Sequence, residues 1–97
     1  MASSTESATV YPDVEYFKVY PNPAYELVTI EIAMKLPARI SIQMINEEGK
    51  VIRTLANDLF PVGRHFFETT LNSVPSGTYV IRYEKRDKVL TRKVVIK

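Results

Sequence analysis

The sequence predicts an all-β fold, a seven-stranded antiparallel β-sandwich, and three observations carry that expectation. Apolar and polar residues alternate with a period of two in run after run, as they do when one face of a strand is buried and the other is wet. Proline, glycine and asparagine break these runs at near-regular intervals, where turns are needed. No segment places its apolar residues at helical spacing, so helix is nearly absent.

Residues 1–14 are polar, rich in serine and threonine and free of periodicity; they read as a flexible or expression-derived lead, with the folded domain at 15–97. Tyr16 to Tyr20 is a short strand that stops where Pro21 and Pro23 bracket Asn22, because each proline lacks an amide donor and holds its predecessor extended. Such a strand belongs at a sheet edge. Leu27 to Met34 turns Val28, Ile30, Ile32 and Met34 inward and closes at Pro37. Ala38 to Ile45 repeats the pattern with Ile40, Ile42 and Met44. Asn46-Glu47-Glu48-Gly49 is a turn with Gly49 where a positive φ is required, and Val51 to Leu55 is the returning strand. Asn57 to Gly63 reads as a longer loop around Pro61, and Arg64 to Leu71 as a strand with Phe67 and Leu71 in the core. Val74-Pro75-Ser76-Gly77 has the makings of a type I turn, since Pro75 pre-sets its φ and Gly77 eases the exit. That turn launches Thr78 to Tyr83, with Tyr79, Ile81 and Tyr83 inward and only Val80 interrupting the polar face. Arg86-Asp87 reverses the chain, and Val89 to Ile96 runs back as the last strand. Seven short strands with turns at this spacing are the pattern of an immunoglobulin-like sandwich.

Ninety-seven residues make one domain, and 45% hydrophobic with 25% charged residues is the composition of an ordinary globular protein. A net charge of +2, with basic residues scattered among eleven acidic ones, does not indicate nucleic-acid binding. The absence of cysteine removes disulfides and thiolate metal sites. No run reaches the roughly eighteen apolar residues of a membrane-spanning helix, and the first residues lack the pattern of a secretory signal.

Catalytic chemistry is not indicated. His65 is the single histidine, no serine sits in a nucleophile elbow, and His65 reads as a strand residue beside Phe66 and Phe67. Glu47 and Glu48 are adjacent in a turn and point apart, and Asn57-Asp58 lacks the alternating ligands and glycine of a calcium loop. No catalytic residue, metal or cofactor is expected. Tyr11, Tyr16, Tyr20 and Tyr25 crowd the first quarter of the chain and suit either packing or a stacking platform. Arg86, Lys88, Arg92, Lys93 and Lys97 suit either a solvated edge that discourages aggregation or a recognition surface.

Four stretches together carry a family resemblance: Val19-Tyr20-Pro21-Asn22-Pro23-Ala24, Ile45-Asn46 with Gly49-Lys50-Val51, Val74-Pro75-Ser76-Gly77-Thr78-Tyr79, and Lys93-Val94-Val95-Ile96-Lys97. In this order, over residues 17–97, they resemble the type A C-terminal sorting domain of the type IX secretion system of Bacteroidota. The last hairpin departs from that pattern by using Arg86-Asp87 where a glycine is common. Arg53-Thr54-Leu55 through Gly63-Arg64-His65 also resembles the immunoglobulin-like domain of flagellar hook-capping proteins. The first resemblance implies a non-enzymatic secretion signal carried behind an N-terminal cargo protein absent from this chain. It further implies passage through the periplasm and recognition by the outer-membrane translocon. Removal by a sortase-like protease follows, leaving the cargo at the cell surface or secreted. The chain itself is expected as a monomer or weak dimer.

Within that reading Tyr20, Pro21, Asn22, Pro23, Gly49, Pro75, Ser76, Gly77 and Tyr79 are motif and turn residues, and Gly77 serves the fold before recognition. Lys93, Val94, Val95, Ile96 and Lys97 are the expected translocon contacts, because a strand at the end of the chain with free edge groups can pair with a receptor strand. They are expected to weigh more in sorting than in stability, since chain ends commonly fray. The alternatives are an accessory carbohydrate- or protein-binding module of a secreted enzyme, with the N-terminal tyrosines as contacts, and a structural spacer.

Overall fold

The computed structural model describes residues 15–97; the expectations for residues 1–14, Tyr11 among them, lie outside the described residues. Seven strands follow in order: β1 (Tyr16–Tyr20), β2 (Leu27–Met34), β3 (Ala38–Ile45), β4 (Val51–Phe60), β5 (Gly63–Thr70), β6 (Gly77–Lys85) and β7 (Lys88–Ile96). They form a three-stranded sheet in the order β1-β2-β5 and a four-stranded sheet in the order β4-β3-β6-β7, with all ladders antiparallel. The chain changes sheet between β2 and β3, between β4 and β5 and between β5 and β6, the Greek-key connectivity of an immunoglobulin-like sandwich.

The period-two alternation becomes the core directly. Val28, Ile30 and Ile32 from β2 meet Ile40, Ile42 and Met44 from β3 and Ile81 from β6, all fully buried, with Phe17, Tyr79, Tyr83, Val94 and Ile96 closing the edges. Burying an aliphatic side chain of this size contributes roughly 1.5–3 kcal/mol, so these positions dominate the stability of the domain. Phe17 stacks on Tyr83 with ring centroids 5.2 Å apart, tying the edge strand β1 to the opposite sheet.

Three expectations are corrected. Phe67 is half-buried and packs on the rim of the core against Phe60 instead of lying within it, because β5 is an edge strand. The loop expected over residues 57–63 is mostly strand: β4 continues to Phe60, and only Pro61 and Val62 connect it to β5. Asn57 to Phe60 pair with Ser41 to Ala38, so the ladder overrides the turn preference of Asn57-Asp58, and the Asp58 carboxylate accepts the Leu59 amide at 2.8 Å. The turn expected at Val74 to Gly77 forms three residues earlier, over Leu71 to Val74, where the Val74 amide donates to the Leu71 carbonyl at 3.0 Å. Gly49 takes the expected positive φ, +85°.

With every ladder antiparallel, the connections alternate between two poles. The β2–β3, β4–β5 and β6–β7 connections lie at one. At the other lie the β1–β2, β3–β4 and β5–β6 connections and the end of β7.

Candidate recognition surface

All four motif stretches meet at that second pole. Pro21 and Pro23 have no amide hydrogen, so the chain cannot prolong the β1–β2 ladder beyond Tyr20. It crosses instead to the outer edge of β7. There the Asn22 side chain accepts the Val95 amide at 2.9 Å and donates to the Lys93 carbonyl at 3.3 Å. Two residues on, the Ala24 amide donates to the Val95 carbonyl at 2.8 Å and the Ala24 carbonyl accepts the Lys97 amide at 2.9 Å. Ala24, fully buried, forms a parallel bridge with Ile96. Residues 22–24 therefore act as a clamp along the last half of β7.

This corrects the reading of Lys93 to Lys97 as a free edge. From the Lys93 carbonyl to the Lys97 amide their outward backbone groups are taken by Asn22 and Ala24, and Val94 and Ile96 are buried in the core. What they present to solvent is the side chains of Lys93 and Lys97, with Val95 half-buried. This half-strand closes the core with Val94 and Ile96 and holds the clamp through its backbone.

Beside the clamp, the Val74–Tyr79 stretch is fixed by its own side chain. The Tyr79 ring is buried and its hydroxyl donates to the Pro75 carbonyl at 2.7 Å, the arrangement of a tyrosine corner. Gly77 pairs with Ile96 at a φ of +153°, where a side chain is strained although a Cβ would meet only the edge of the Tyr79 ring, at 3.8 Å. Ser76 and Pro75 are exposed. On the far side, the Asn46 carboxamide oxygen accepts the amides of Glu48 and Lys50 at 3.0 and 2.9 Å, shaping the turn that carries Gly49. Between these two turns lies an open depression of about 200 Å³ bounded by Glu47, Glu48, Ser76 and Tyr79.

Arg53, Glu31 and the clamping role of Asn22 were not read from the sequence. The Arg53 guanidinium donates to Thr69 Oγ1 at 2.7 Å, to Ser73 Oγ at 2.9 Å and to the Thr70 carbonyl, lacing β4 to the end of β5. Glu31 lies on the solvent face of the first sheet and accepts the hydroxyls of Tyr16 and Tyr20. The Tyr16 hydrogen bond, helped by that of Tyr20 and by the charges of Lys18 and Arg64, holds the Glu31 carboxyl below its ordinary range against some desolvation. An asparagine between two prolines is a signal that could have pointed to the clamp, since its side chain is the free donor and acceptor of that segment.

The tyrosines do not form one platform. Tyr16 and Tyr20 spend their hydroxyls on Glu31, whereas Tyr25 is 66% exposed on the loop after the clamp. His65 is held in the β4–β5 corner, where Nε2 donates to the Pro61 carbonyl at 2.8 Å. Among the described residues no group of His, Asp and Glu side chains could hold a metal ion. Arg86, Lys88, Arg92, Lys93 and Lys97 are all exposed, and none forms a salt bridge among the described residues.

The family model of the secretion system C-terminal sorting domain matches residues 18–97. No curated protein matches the chain.

Proposed function

Because the chain belongs to the family of C-terminal sorting domains of type IX secretion and serves as a sorting signal for export to the cell surface or the medium, we propose that it acts by being bound at its motif pole. The observation that carries this reading is the convergence of Asn22, Ala24, Gly77 and residues 93–97 on one end of the sandwich. The antiparallel topology brings the four stretches to one end, and the hydrogen bonds of Asn22 and Ala24 to residues 93–97 join two of them into one surface. The contacts are the exposed side chains of Lys93 and Lys97 and the outward surface of the clamp. Val94 and Ile96 hold that surface in place from below.

The partner in this proposal is the outer-membrane translocon, met in the periplasm as a folded domain. A cargo protein absent from this chain precedes it, and a sortase-like protease cuts between cargo and domain once both are across. The domain performs no catalysis and needs no cofactor, and it works as a monomer or weak dimer. The test is a fluorescent reporter directed to the periplasm by its own N-terminal signal and fused ahead of this chain, in a bacterium with a working type IX system and in a strain lacking the translocon. The reporter is expected outside the first strain and inside the second. Equal distribution in the two strains would overturn the proposal.

A further inference from the structure

The clamp covers only half of β7. The β6–β7 ladder runs without a bulge from Gly77↔Ile96 to Lys85↔Lys88, so the backbone groups of alternate residues point to the same side throughout. The Val95 amide and carbonyl point away from β6, toward Asn22 and Ala24; those of Thr91 and Val89 therefore point away from β6 as well. Among the described residues these groups have no backbone partner, and Arg92 Nη1 donates to the Thr91 carbonyl at 2.9 Å. The exposed strand edge thus runs from Lys88 to the Lys93 amide and ends abruptly at the clamp.

The side chains beside this edge share one charge. From residue 86 to the end of the strand only Asp87 is acidic, against Arg86, Lys88, Arg92 and Lys93. Lys88 and Lys93 flank the open backbone groups from opposite faces, and Arg92 lies over the Phe17 ring at 5.1 Å from its centroid, reachable from the same side. Val89, 48% exposed, gives an apolar contact in the middle. A row of amides and carbonyls without backbone partners, set between cations without salt bridges among the described residues, is complementary to an extended peptide with carboxylates at alternate positions.

We infer that Lys88 to Lys93 is a docking edge for an acidic, extended segment of a partner protein, which adds to the four-stranded sheet as a fifth strand. The clamp sets its register, since the incoming strand can pair with Val89, Thr91 and the Lys93 amide but meets Asn22 beyond them. This surface shares only the Lys93 side chain with the sorting proposal, and it is tested without export.

The experiment uses the purified 97-residue chain, labelled with nitrogen-15 and titrated with an eight-residue peptide that alternates threonine or valine with glutamate. A peptide with lysine in place of glutamate is the control. The acidic peptide is expected to slow exchange of the Val89, Thr91 and Lys93 amides and to leave Val95 unchanged. Thr91→Pro removes one outward amide without touching the β6 ladder, as proline is tolerated on the open side of an edge strand, and is expected to weaken binding about tenfold or more. Lys88→Glu with Lys93→Glu is expected to do the same, and binding to the native chain is expected to weaken as salt rises. Thermal unfolding of each variant separates lost binding from lost fold. Absence of acidic-peptide binding would overturn the inference and leave the cations as protection against edge-to-edge association. Binding that survives Thr91→Pro in a folded chain, or that leaves the three amides unprotected, would overturn it too.

Discussion

Arg86 occupies the position where the sequence departs from its family, and its φ of +54° shows that the turn wanted a glycine. The two-residue connection between Lys85 and Lys88 has a positive φ at its first residue only, a turn that favours glycine there. A left-handed side-chain residue costs roughly 1–2 kcal/mol, and glycine gives back about 0.5–1 of that through its freer unfolded chain. Arg86→Gly is therefore expected to stabilise the domain by about 0.5 kcal/mol, a rise of roughly 2–4 °C in the melting temperature of a chain this size. A melting temperature below the native one would show that the arginine side chain does more than close the turn. Glu31 makes a pH-dependent case. Its carboxyl is lowered in the folded state by the Tyr16 hydroxyl first, so its stabilising effect is complete above the ordinary carboxylate pKa and is lost as pH falls through the lowered folded value. The native chain should melt above Glu31→Gln by a constant margin from neutrality down to about pH 5, and the margin should shrink below about pH 4. Paired melting curves across that range check it.

Among the elements, β7 depends on a segment distant in the chain. Asn22 reaches residues 93 and 95 through two side-chain hydrogen bonds on an exposed edge. Asn22→Ala should cost about 1 kcal/mol, since each such bond is worth roughly 0.5–1.5 and water replaces part of it. The exchange rate of the Val95 amide should rise sharply, while the Ile96 amide, directed toward β6, stays protected. Unchanged protection at Val95 would mean that the clamp does not hold this strand in solution. The strands themselves were legible because alternation is local: Leu27 to Met34 and Ala38 to Ile45 declare their buried faces one residue at a time. The end of β4 was not, because Asn57-Asp58 favours a turn locally and only its pairing with Ser41 and Ile40 makes it strand. Pro21-Asn22-Pro23 marks the clamping segment, but its partner was illegible for the same reason, since no periodicity links residue 22 to residue 95. The motif stretches of the candidate surface were all marked by sequence; their meeting at one pole is a property of the topology.

At the scale of the whole molecule, the proposed sorting surface overlaps with the core in the last half-strand, and the two separate only by the direction in which a side chain points. Val94 and Ile96 point inward and are 0% and 2% exposed, whereas Lys93 and Lys97 are exposed and without salt bridges among the described residues. Ile96→Ala opens a cavity at the end of the core and should cost about 2–5 kcal/mol, a large part of the roughly 5–15 kcal/mol that holds a domain together. Deleting residues 93–97 removes both core side chains and every hydrogen-bond partner of the clamp. That chain is expected to lose its cooperative unfolding transition, so its failure to export a reporter would say nothing about recognition. Lys93→Ala with Lys97→Ala changes only surface groups and should alter stability by no more than about 0.5 kcal/mol for each residue. If the pole is read through these side chains, the double lysine variant keeps the native melting temperature within a few degrees and yet leaves the reporter inside the cell. Appending about ten glycine and serine residues after Lys97 gives an independent arm, because such an extension behaves as a flexible coil and leaves the core untouched while crowding the pole. It is expected to unfold at the native temperature and to export poorly. Normal export of both folded variants would reduce the terminal half-strand to packing and move recognition to another face of the sandwich.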